Sequence, residues 1–143
     1  MTRDDCPFRK IPKGGVVEIP DIHREFGNEK SGGKVLLAGY YERNLIHDIE
    51  TLLTGIRKVG IQPRIWCFLT ITGVKDARIQ TNERFADENR AIDRDVLFLP
   101  EIVIDDLNGN ANELLLPTFD LVWNAAGFTR SFNFDTNGNW IGR

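Results

Sequence analysis

A chain of 143 residues has room for one domain with a real core and too little for two. Its 41% apolar and 27% charged residues describe a sequence composed to fold, and a net charge of -3 gives no general attraction to nucleic acid. Two cysteines are too few for a disulfide framework, no apolar run approaches membrane-spanning length, and residues 1–15 contain no apolar signal core, so a cytoplasmic protein away from the membrane is expected.

Residues 1–15 are polar and broken by Pro7, Pro12, Gly14 and Gly15, which reads as an arm or linker before a single domain at 16–143. The run 16–19, stopped by Pro20, suits an edge strand, and 21–33 is polar and turn-rich. A second strand, KVLLA at 34–38, leads into the longest helical pattern of the chain, 39–60. There Tyr41, Leu45, Ile49, Leu52, Leu53, Ile56 and Val59 recur at steps of three and four. Glu42 is read as a first-turn acid, Arg57 and Lys58 as last-turn bases, and Gly60 as the stop.

The strongest strand signal is RIWCFLTIT at 64–72, apolar on both faces in its first half, which predicts a central strand covered on two sides. A long loop is expected over 73–94, anchored by Phe85, Ala91 and Ile92, and a strand pair or one strand bent at Pro100 over 96–104. Turn chemistry fills 105–112. A second helix follows, with Asn110 and Glu113 spaced as a capping box and Leu115, Phe119, Val122, Trp123 and Ala126 as its stripe. Pro117 either lies inside this helix or marks its first turn, and Gly127 ends it. The tail holds Phe128, Phe132, Phe134 and Trp140 around an Asn137-Gly138 hairpin signal, too many aromatics for a free end. The order β-β-α-β-β-α plus an aromatic tail predicts an α+β fold: two layers, with both helices on a mixed sheet of four to five strands.

No motif specifies a reaction. Residues 27–34 approach a phosphate-binding loop, but Gly33 stands where the lysine is required and a strand follows instead of a helix. Asp106, Asn108, Asn110 and Asn112 imitate the start of a calcium loop, yet Ala111 replaces its glycine and Pro117 its closing glutamate. The similar Asp135, Asn137 and Asn139 run has Trp140 in place of that glycine. Glu101, Asp105 and Asp106 at a strand end could hold divalent ions, as a metal-dependent hydrolase of phosphodiesters would require, but a strand ending in an Asx turn is the favoured reading. His23 and His47 lack the neighbours that metal binding or base catalysis needs. Arg130 among Phe132, Phe134 and Trp140 interleaves charge and rings as single-stranded nucleic-acid binders do, or else marks a tail clamped to the core.

Pro100-Glu101, the stretch from Pro117 to Asp120, the stretch from Trp123 to Gly127, and the stretch from Ser131 to Asp135 are similar to the C-terminal accessory region of bacterial Schlafen AlbA-type proteins, described as putative DNA-binding or ATP-binding. The resemblance covers 91–140 best. It implies a bacterial cytosolic accessory domain whose nucleic-acid contacts belong to another module. A non-catalytic interaction or regulatory domain without a cofactor is therefore expected, its partner being another protein domain or a second copy. Tyr40, Arg130, Phe132, Phe134 and Trp140 are the candidate contact residues.

Overall fold

Helix α1 covers Ala38–Lys58 in the computed structural model, which describes residues 26–28, 33–80 and 89–142. Its stripe buries Tyr41, Ile49 and Leu53, with Leu45, Ile46 and Leu52 partly covered. The stripe runs off the core at its end, where Val59 is exposed. Gly60 takes φ +75° there, a left-handed conformation that an L side chain resists. One correction lies at the other end. Glu42 is not a first-turn acid but points into the core with no exposed surface.

Helix α2 covers Ala111–Ala125. The Asn110 side chain accepts from the Asn112 N–H at 2.9 Å, so the cap reaches the second helical residue. Pro117 sits inside the helix. The C-terminus closes as a Schellman motif: Phe128 N–H donates to Trp123 O at 3.1 Å and Gly127 N–H to Asn124 O at 2.9 Å. The apolar contact that accompanies such a motif is an edge-on pair of Trp123 and Phe128 rings, 5.2 Å between centroids.

The fold is α+β, as expected, but its strands form smaller sheets than one layer of four to five. Strand β1 (Phe26–Asn28) pairs antiparallel with β2 (Lys34–Leu36), and β2 pairs in parallel with β5 (Arg78–Ile79). β1 falls within the stretch expected to be turns, and β5 within the expected long loop. The 64–72 run divides into β3 (Ile65–Cys67) and β4 (Thr70–Thr72), and 96–104 into β6 (Val96–Phe98) and β7 (Ile102–Ile104), with the break at Pro100. β3 pairs with β7 and β4 with β6, both antiparallel. Between the paired positions Cys67↔Ile102 and Thr70↔Phe98, residues 68 and 69 face residues 99, 100 and 101. The Leu99 N–H still donates to Leu69 O at 3.1 Å, so the extra residue is a bulge at Pro100-Glu101 in one bent ribbon. Among the described residues β3 is therefore not a covered central strand, since it has one neighbour there and its Trp66 is exposed.

α1 and α2 pack on each other, and α2 packs on β7, rather than both helices lying side by side on one sheet. A single core joins Leu36 and Ile79 from the first sheet, Tyr41, Ile49 and Leu53 from α1, Ile102 and Ile104 from β7, and Leu115, Phe119 and Val122 from α2. The tail closes over this core, with Phe128 and Phe134 buried. Residues 135–139 turn as the Asn137-Gly138 signal predicts, with Gly138 at φ +79° and a bridge between Phe134 and Trp140. Among the described residues no helix is long and apolar enough to cross a membrane. The expected arm at 1–15, the edge strand at 16–19, His23 and Phe85 lie outside the described residues.

Candidate functional site

The most polar place in the interior is Glu42. Its carboxylate accepts from Trp123 Nε1 at 2.8 Å and Ser131 Oγ at 3.3 Å on one oxygen. The other accepts from Asn133 Nδ2 at 2.7 Å and Trp140 Nε1 at 3.0 Å. One donor comes from α2 and three from the tail, so a single acid on α1 ties three distant parts of the chain together. Asp120 adds a fifth tie, accepting from the Ser131 N–H at 2.7 Å. Burial raises the Glu42 pKa, and the four donors, which favour the ionised form, oppose that shift without cancelling it. With no exposed surface, Glu42 is placed to hold the tail and not to meet a ligand.

The signal for Glu42 was present in the sequence. It lies seven residues before Ile49, and seven residues return a helix to within about 20° of the same direction. Trp123, Ser131, Asn133 and Trp140 make this knot by donating to Glu42, and Asp120 supports it through the Ser131 N–H.

The candidate contact residues turn largely inward. Phe134 is buried and stacks at a tilt on Phe119 at 6.0 Å. Phe132 is half-buried, edge-on to Trp123 and Phe128, both at 5.5 Å. Trp140 is half-buried and committed to Glu42. Arg130 is exposed, its guanidinium 5.8 Å from the Phe132 ring, and Tyr40 is half-buried with Arg43 5.7 Å from its ring.

Glu101, Asp105 and Asp106 are all exposed, and they are engaged separately or apart. Asp105 pairs with Arg64 at 2.5 Å, while Asp106 accepts from the Asn108 N–H at 2.9 Å in an Asx turn. Among the described residues no three His, Cys, Asp or Glu side chains come together closely enough to hold an ion. His47 is exposed, and burial pushes the Cys67 thiol pKa up, which makes it a poorer nucleophile.

What the sequence reading missed is the outward face of the bent ribbon. Along β3 and β4 the even-numbered residues point out, and Trp66 and Phe68 are 55% and 71% exposed. Phe98, opposite Thr70 on β6, is 81% exposed. Phe98 and Phe68 are thus diagonal neighbours on one face. The segment 93–106 around them carries Asp93, Asp95, Glu101, Asp105 and Asp106 against the single Arg94. That arginine is already bound to Asp93 at 2.8 Å. Arg64, just before β3, likewise holds Asp105, which leaves Asp95, Glu101 and Asp106 as the acids without an ion pair among the described residues of a mildly acidic frame around an apolar face. No family model matches this chain, and comparison with curated proteins and with solved structures finds no match either.

Proposed function

We propose that this chain is a non-catalytic interaction domain whose contact surface is the outward face of the β3–β4/β6–β7 ribbon. The supporting observation is the exposure of three large rings, Trp66, Phe68 and Phe98, on one pleated face. Large contiguous apolar exposure is costly in water and marks contact surfaces. The acidic frame favours a protein partner with an apolar centre and basic rim. Aromatic sheet faces also stack unpaired bases, but the surrounding carboxylates would repel a phosphate backbone. The resemblance described above adds the expectation of a bacterial cytosolic protein whose DNA contacts belong to another module.

The test is a photo-crosslinking residue placed at position 98 of the full chain in a bacterial cell, with Thr54 on the exposed side of α1 as control. A discrete product from position 98, absent from position 54 and lost in a Trp66→Thr/Phe68→Thr background, is expected. No discrete product, or the same products from both positions, refutes the proposal.

A further inference from the structure

A second feature lies beside that face. A groove of about 340 Å³ runs between α2 and the ribbon, lined on one wall by Pro100, Glu101, Ile102 and Val103. Ile102 and Val103 are successive residues of β7 and point to opposite faces, so a groove that touches both follows the edge of that strand, with the bulge residues Pro100 and Glu101 at its end. That edge is open among the described residues, because the sheet contains β3 and β7 alone and β3 occupies the other side. The opposite wall is one face of α2: Glu113, Leu114, Pro117, Thr118 and Leu121. Pro117 has no N–H, so the Glu113 carbonyl lacks its usual helical donor on this same wall. The groove thus combines an unpaired strand edge, apolar walls and two carboxylates.

We infer that this groove is a strand-addition site for an extended peptide segment that alternates apolar residues with lysine or arginine. The inference rests on the reading of the chain as an interaction domain and names what it binds. The peptide backbone pairs with the free edge of β7, as in other edge-addition modes. Its apolar side chains rest on Leu114, Pro117 and Leu121, and a cation lies between Glu101 and Glu113. Charge complementarity selects this occupant over a nucleic acid or an acidic peptide. The three residues of β7 span about 10 Å, room for a core of about three peptide residues.

The experiment pans a random peptide display library against the full chain, then titrates a labelled enriched peptide. Enriched sequences are expected to alternate apolar residues and to carry Lys or Arg. Affinity should fall about tenfold in Glu101→Gln/Glu113→Gln, a change of about 1.4 kcal/mol. It should be lost in Leu121→Lys, with folding of both variants checked by thermal melting. Methylating alternate amide nitrogens of the peptide should also abolish binding, which contact through side chains alone would survive. No enrichment, acidic consensus sequences, or affinity indifferent to all these changes overturns the inference. Peptides that respond only to Phe98→Thr overturn it while leaving the aromatic face in place. Groove-dependent peptides with no crosslink at position 98 uphold it and remove the face instead.

Discussion

Replacing Glu42 tests whether one buried acid holds the tail. Glu42→Ala leaves Trp123 Nε1, on a side chain 2% exposed, without an acceptor. A stranded buried donor costs about 1–3 kcal/mol. Asn133 and Trp140 are half-exposed and can turn to water, so each forfeits closer to an ordinary bond of about 1 kcal/mol. Ser131 Oγ can rotate away. Against these losses, the carboxylate no longer has to be desolvated. The net expectation is about 3 kcal/mol lost, a large share of the roughly 5–15 kcal/mol available to such a domain. Glu42→Gln keeps one oxygen and loses less, about 1–2 kcal/mol, because its amide can satisfy Asn133 after a flip but not the Trp140 N–H.

The two variants differ most in pH. Burial raises the folded-state pKa of Glu42 above its ordinary value of 4.5. The folded chain therefore holds this proton more tightly than the unfolded chain, and stability falls as pH rises from the ordinary carboxylate range through the raised pKa. Glu42→Gln lacks that slope, so the advantage of the natural chain over it should shrink across the window and level off above. Urea titrations followed by tryptophan fluorescence read this directly, since Trp123 and Trp140 touch Glu42 while Trp66 is exposed. If the advantage instead grows with pH through that window, the donors outweigh burial and the argument is wrong.

Other substitutions probe single links. Tyr41→Phe removes a buried hydroxyl that has no hydrogen-bond partner among the described residues and keeps the edge contact with Phe119, so thermal melting should show unchanged or raised stability. Trp140→Phe should cost about 1 kcal/mol and speed amide exchange in residues 129–142 more than in α1. Phe119→Ala opens the centre of the core and should cost about 3–5 kcal/mol by denaturant titration. Phe68→Thr and Phe98→Thr on the exposed face should each change stability by no more than about 0.5 kcal/mol in the same titration.

Both helices, the break at Pro100 and the Asn137-Gly138 turn were legible because each is written in local residues. The helical stripes have a period, Gly60, Gly127 and Gly138 adopt positive φ, and Pro100 lies beside the bulge. The number of neighbours a strand has is not local. RIWCFLTIT is apolar on both sides whether both faces are covered or one is left exposed, and among the described residues one face, with Trp66 and Phe68, is exposed. β1 and β5 are too short to stand out from turn-like surroundings. Glu42 escaped for another reason: its charge suggested a helix-end role, while its angle placed it with Ile49.

The misread acid, Glu42, and the misread rings share a physical logic. An internal carboxylate satisfied by four side-chain donors fixes the tail by direction as well as by burial, since each donor must meet a particular oxygen. A tail held in that way does not need its rings at the surface, and Phe128 and Phe134 are buried. The rings left outside, Trp66, Phe68 and Phe98, lie on the ribbon and make none of the Glu42 contacts. Distant, unshared sites perturb stability additively. Combining Glu42→Gln with Phe98→Thr should therefore give the sum of the two single effects within about 0.5 kcal/mol in urea titrations. A larger deviation would mean that the acid also orders the ribbon, and the division between a knot that folds the chain and a face that meets a partner would fail.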